Sequence, residues 1–303
     1  MHRTTSVVFA GPVSPGLTLS PLRRGRGDPC YHDAPDGAIW RTSLMRSGPV
    51  TARITKSAPN TVDCEAWGAG AAEFIESLPA QLGLDDDASS FRPDEPTLAE
   101  ARRRVPHLRL GRTGRVLEAL IPAVLEQRVA GKDARRAWRR LVTRYGAPAP
   151  GPAPQHMRVP PSAQVWHRIP SWEFHRANVD PGRARTVVAC AQRADSLERL
   201  VDREPAAARA ALMLLPGVGE WTAAETAQRA LGDADALSVG DYHIAKMVGW
   251  SLLGYPIDDP AMVELLEPMR PHRHRAVRLL EVSGLAVNPR FGARQPIPNL
   301  RAI

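Results

Sequence analysis

The stretch Leu214–Gly219 reads LLPGVG and makes the chain reverse between two helices within a few residues. Pro216 cannot donate the hydrogen bond that a continuing helix needs. Gly217 and Gly219 accept left-handed dihedrals that other residues avoid. Upstream, Pro205 sits in the first turn of a helix that Asp202 is placed to cap. Downstream, Thr222 and Ala223 open a second helix. Free N–H groups at Gly219 and at this helix start then face outward together, a ready phosphate site that holds backbone in any sequence context. The plain alternative is a link between helices that binds nothing.

The charge balance is compatible with such a site. The 303 residues carry a net charge of +8, which suits an anionic polymer or a membrane surface. Apart from Lys56, Lys132 and Lys246 the cations are arginine, the side chain that grips phosphate bidentately, although a GC-rich genome gives the same bias. Hydrophobic content of 43% and charged content of 24% are ordinary for a globular protein, so the chain has material for two or three cores. Cys30, Cys64 and Cys190 are too far apart for a paired metal-ligand spacing and odd in number for a disulfide framework. A reduced, cytoplasmic setting is expected. The apolar stretch Ser6–Val13 is too short to span a bilayer, so no membrane partner is expected.

Along the chain, residues 1–36 are rich in Gly, Pro and Arg and read as loose. Runs favouring β-branched residues at 38–44, 50–55 and 61–67, punctuated by Gly, Pro and Asn, predict a small antiparallel sheet. A helix follows over 70–82, then an acidic loop or link over 85–96. From Thr97 the period changes to 3–4 residues, as in Leu117, Leu120, Ile121, Val124 and Leu125. A Pro/Gly linker is expected over 146–161 and a mobile basic tail over 288–303. The fold class is therefore mainly α with a small N-terminal antiparallel β sheet (α+β). Its parts are a β-rich region with a flexible leader (1–100), a helical domain (101–287) and the tail (288–303).

Asp241 lies in Val239-Gly240-Asp241-Tyr242, directly before a strong helical pattern, and reads first as an N-cap. Capping and catalysis are compatible, because a helix N-terminus fixes a carboxylate in direction and favours its charge. LPGVGEWTA followed by VGDYHIAK resembles the HhH-GPD superfamily of DNA glycosylases, and within it the 3-methyladenine DNA glycosylase II branch. Residues 117–146 and 175–191 resemble that family's early helices, Gln-centred loop and following helix pair.

The resemblance implies a helix-hairpin-helix DNA glycosylase fold and hydrolysis of the N-glycosidic bond of alkylated purines in duplex DNA, in base-excision repair. Asp241 then stabilises the cationic sugar and assists water. Trp221 and Tyr242 match aromatic pocket positions that stack on a flipped, cationic base, unless the rings are simply core. His272 stands where some relatives carry a pocket Trp, and Glu225 is an acidic rival that lines the pocket or faces solvent. Gly217, Val218, Gly219 and Thr222 hold DNA backbone. Gln127 and Arg128 form the loop that fills the gap left by the base, although Arg128 reads equally as an exposed helix-end cation. Strand-cutting relatives carry a Lys at the position of Trp221, so a monofunctional enzyme is implied. The absent Cys quartet argues against an iron–sulfur branch. No organic cofactor or metal ligand set is expected, though the resemblance leaves room for a monovalent cation on hairpin carbonyls. A monomer acting on damaged double-stranded DNA at the nucleoid is expected. The alternatives are an inactive DNA-binding member and a glycosylase for deaminated purines.

Overall fold

A computed structural model describes residues 1–287 and 289. Residues 288–303, read as a mobile tail, lie outside the described residues apart from Pro289. Strands β1 (His2–Val8), β2 (Tyr31–Asp33), β3 (Ile39–Met45), β4 (Gly48–Ala58) and β5 (Thr61–Trp67) form an antiparallel sheet in the order β1-β5-β4-β3-β2. A short helix, α1 (Pro15–Leu19), follows β1. β5 shows why these residues make strands: Val62, Cys64 and Ala66 alternate inward against α2 (Ala71–Gln81), whose Phe74 and Leu78 fill the same core. The first 36 residues are not loose. β1 pairs with β5 along its whole length, Val7 facing Val62, and Phe9, Val13 and Leu19 are buried. Their order comes from capping an otherwise open sheet edge, a long-range demand that local composition does not reveal.

The helical region begins with α3 (Pro96–Arg104), α4 (Val116–Glu126) and α5 (Gly131–Tyr145). α4 is buried on every side, Val116 to Leu125 except Glu118, and is the spine of the main helical core. The expected linker over 146–161 is instead structured. It carries a two-residue ladder, β6 (Ala147–Pro148) with β7 (Arg158–Val159), and buries Met157 and Val159. The Arg158 N–H donates to the Pro29 carbonyl, tying this segment below the sheet.

Short helices α6 (Ala163–Arg168) and α7 (Ser171–Arg176) precede α8 (Pro181–Gln192) and α9 (Ala194–Glu198). Next come α10 (Pro205–Met213), α11 (Glu220–Ala230), α12 (Ile244–Leu252), α13 (Asp259–Leu266) and α14 (Arg273–Ser283). Asp202 does not cap α10. Glu204 takes the N-cap position without a side-chain hydrogen bond, and Asp202 closes a single 3-10 turn instead. Sheet and helices meet through buried polar groups, with Ser43 Oγ donating to Glu118 Oε2 at 2.5 Å and Arg41 Nη1 to Gln81 Oε1 at 2.6 Å. No helix among the described residues is long and apolar enough to cross a membrane.

Candidate active site and nucleic-acid interface

The hairpin between α10 and α11 rests on the main core through Leu215 and Val218, both buried, while Pro216, Gly217 and Gly219 are exposed. Gly217 is required twice over. Its φ is +85°, and a Cβ there would lie 2.1 Å from Thr186 Oγ1. α11 starts after Gly219 with no side-chain cap, so its first-turn N–H groups have no side-chain acceptor.

Gln127, at the C-terminal end of α4, binds this hairpin directly. Its Nε2 donates to the Gly217 carbonyl and to Thr222 Oγ1, each at 2.8 Å. Arg183 supports the same corner from below, its Nη1 donating to the Leu125 carbonyl at 2.6 Å. Arg128 follows with φ +51°, exposed at the tip of the loop. Gln127, Gly217, Thr222 and Arg128 thus share one corner of the molecule.

Asp241 enters from the other side of α11. Its Oδ1 accepts from the His243 N–H at 2.8 Å and the Ile244 N–H at 3.1 Å, at the start of α12. Its Oδ2 accepts from the indole Nε1 of Trp221, in the first turn of α11, at 3.1 Å. His243, not Asp241, is the N-cap residue of α12; Asp241 lies two residues earlier and binds the turn that leads into the helix. One carboxylate thus joins that turn to the hairpin helix. Tyr242 is 71% exposed, with the Lys246 ammonium 4.5 Å from its ring centroid and the His243 ring edge-on at 4.9 Å. It is not a core ring, and Lys246 occupies one of its faces.

Glu225 and His272 are placed differently. Glu225 is buried behind the loop that carries Asp241, its Oε1 accepting from Ser238 Oγ at 2.7 Å and its Oε2 facing Arg229 at 2.8 Å. Burial works against its charge, but Arg229 and Ser238 outweigh this and hold the carboxyl below its usual range. His272 is 6% exposed. Its Nε2 meets Ser90 Oγ at 2.8 Å, its Nδ1 accepts from Arg275 Nε at 3.2 Å, and its ring packs edge-on to Phe91. None of these partners belongs to the Asp241–Trp221 group.

Sequence reasoning missed Ser238 and Gln228. Ser238 Oγ donates to Glu225 and accepts from Gln228 Nε2 at 2.8 Å, and its carbonyl accepts from the Asp241 N–H at 3.2 Å. A lone serine in a loop gives no signal of this kind. A cavity of about 530 Å³ lies elsewhere, between the end of β3, α4 and α6, and its lining includes neither Asp241 nor Trp221.

This architecture is shared with solved structures. A 3-methyladenine DNA-glycosylase from Archaeoglobus fulgidus superposes with TM-score 0.79 at 16% identity, over 92% of this chain and 98% of that one. The protein MBOgg1, in complex with a low-affinity DNA ligand, gives 0.74 at 16% identity over 93% and 95%. The Clostridium acetobutylicum 8-oxoguanine glycosylase/lyase with double-stranded DNA gives 0.71 at 14% identity over 92% and 96%. No protein-family model matches the chain. The fold is that of the helix-hairpin-helix DNA glycosylases.

In sequence the chain is 32% identical over 270 residues to a probable bifunctional transcriptional activator/DNA repair enzyme AlkA of Mycobacterium tuberculosis. The alignment covers 83% of the chain, which spans about half (51%) of that relative's length. Both comparisons agree with the resemblance to HhH-GPD glycosylases.

Proposed function

We propose that this chain is a monofunctional DNA glycosylase that removes alkylated, 3-methyladenine-type purines from duplex DNA as a monomer, leaving an abasic site. The observation that carries this reading is the position of Asp241, fixed at the start of α12 and tied by Trp221 to the hairpin helix. As the N-glycosidic bond breaks, the electron pair leaves with the base and positive charge grows on the sugar. A carboxylate held in one direction stabilises that charge without having to reorganise. Water then adds to the sugar carbon and gives up a proton to the Asp241 carboxylate, which returns it to solvent. An alkylated purine leaves as a neutral base because it starts cationic, so strong general-acid help is not needed. The exposed Tyr242 ring and the indole of Trp221 supply π-faces beside the carboxylate for a flipped base.

The fold alone does not separate hydrolysis from strand cleavage, since an 8-oxoguanine glycosylase/lyase shares it. Trp221 supports the hydrolytic reading. A Schiff base needs an amine, and this position offers an indole whose N–H is already given to Asp241. Gly217, Gly219 and the open start of α11 would hold phosphate, with Gln127 bracing the turn and Arg128 poised to enter the gap left by the base. The Gly217 carbonyl, engaged once by Gln127, keeps a second lone pair with which a monovalent cation could be held at the turn.

The test is release of bases from methylated duplex DNA, read by chromatography, with wild type and Asp241→Asn. We expect 3-methyladenine from the wild type, about 100-fold less or lower from the variant, and no strand break until alkali is added. Trapping of a covalent adduct by borohydride would overturn the monofunctional assignment. Release of hypoxanthine in place of alkylated bases would assign deaminated purines. Salt-dependent binding with no release of either would make this a DNA-binding protein.

A further inference from the structure

A second charged surface adjoins the hairpin corner, and the loop beside it is built with unusual care. Asp28, 1% exposed, anchors this loop. Its Oδ2 accepts from the Arg24 N–H at 2.6 Å, and its Oδ1 accepts from the Cys30 N–H and from Trp138 Nε1, both at 2.9 Å. Arg24 is itself buried and pairs with Glu126 at 3.3 Å, next to Gln127. Between these anchors, Gly25 and Gly27 have φ of +82° and +75°, and Arg26 stands exposed between them. Cβ positions at Gly25 and Gly27 would meet Arg135 and Arg139, so the loop lies directly against α5.

α5 starts three residues after Arg128 and exposes Lys132, Arg135, Arg136, Arg139 and Arg140. Arg136 has Asp133 at 3.6 Å. Arg26, Lys132, Arg135, Arg139 and Arg140 have no carboxylate within 4.0 Å among the described residues. Gathering five like charges without counter-charges is unfavourable until an anion covers them. Lys132, Arg135 and Arg139 follow i, i+3, i+7 spacing, so they form one row. The row rises about 10 Å along the helix, a length over which one strand of B-DNA places about three phosphates.

We propose that the row Lys132–Arg135–Arg139, flanked by Arg26, is a second DNA-backbone site that grips the duplex beside the corner formed by Gln127, Arg128 and the hairpin. This rests on the reading of the chain as a duplex-DNA-binding protein and extends its footprint. The hairpin holds phosphates at the lesion, and α5 holds the flank.

The test uses the full chain and a labelled 25-base-pair undamaged duplex, with binding measured from 50 to 300 mM KCl. The variant K132Q/R135Q/R139Q changes only exposed side chains, and its melting temperature should equal that of the wild type. The plot of log affinity against log salt should become shallower by about 2 to 3, since each phosphate that the protein no longer neutralises takes about 0.9 from the slope. Shortening the duplex until it no longer reaches α5 should bring wild type and variant to the same affinity. An unchanged slope in the variant, with the wild type binding in a salt-dependent way, overturns the proposal and leaves the DNA reading standing. No salt-dependent binding by the wild type overturns both. Equal loss of affinity for single-stranded RNA and duplex DNA would make the face a general polyanion surface and also overturn it.

Discussion

Asp241 is gripped at both carboxylate oxygens, by two backbone N–H groups on one and by the Trp221 indole on the other. The indole therefore does more than offer a stacking face. Under the proposed function it also fixes the direction in which the free lone pairs of Asp241 face the sugar carbon. Trp221→Phe keeps an aromatic surface and removes only the N–H. A hydrogen bond to a charged group contributes about 1.5–3 kcal/mol, so base release at saturating DNA should fall about 10- to 100-fold. Single-turnover kinetics, with DNA affinity measured separately, check this, because loss confined to affinity would mean that the ring serves stacking alone. At this scale much is legible in the sequence. The place of Asp241 before a helical pattern marks it as a cap; the structure moves the cap to His243 and gives Asp241 the turn before α12 and the Trp221 indole as partners. Glu225 and Asp241 cannot be told apart in sequence as to which faces inward, because that depends on how α11 is rotated in the core. Composition around Glu225 offers no clue to that rotation.

The element that decides the geometry of the site is the loop from α11 to α12. Ser238 is its pivot, held by Glu225 and Gln228 of α11 and in turn holding the Asp241 N–H. Ser238→Ala removes a donor to the buried Glu225 carboxylate and an acceptor for the half-buried Gln228 amide, so the loop should loosen while the helices stay packed. We expect base release to fall about 10-fold, and Ser238→Thr to restore most of it by returning the hydroxyl. Unchanged activity in Ser238→Ala would show that α12 alone positions Asp241. Periodicity places α2 and α4 to within a few residues, because apolar side chains recur along each at the helical spacing. It misses β1, whose partner β5 is distant in sequence, and the ladder over 147–159, which is tied to Pro29 far up the chain.

Across the whole molecule, α4, α11 and α14 meet at a set of buried and half-buried charges, Arg24 and Glu225 being buried and Glu126 and Arg229 half-buried. His274 of α14 lies against this set, and burial pushes its imidazole from 6.5 down to about 3. The folded protein thus keeps His274 neutral where the unfolded chain would protonate it. Its contribution to stability is complete above about pH 6.5 and is lost as pH falls from there toward 3, by up to about 1.4 kcal/mol per pH unit. Burial lowers His156 and His272 too, with the same sign. The urea midpoint should therefore drop between pH 7 and 5, and His274→Asn should flatten that slope without abolishing it. A slope identical in the variant would show that His274 is already protonated in the native state. The sequence by itself determined strands β3 to β5, the change to helical period after Thr97, the tight turn at Gly217 and the presence of a carboxylate just before α12. All of these follow from local dihedral limits and side-chain periodicity. The tertiary structure alone decided that β1 closes the sheet, that Trp221 reaches Asp241, that Glu225 turns inward to Ser238 and that Arg26 stands beside α5. Each of these depends on which distant surfaces meet, and burial and charge settle that only when the whole chain packs.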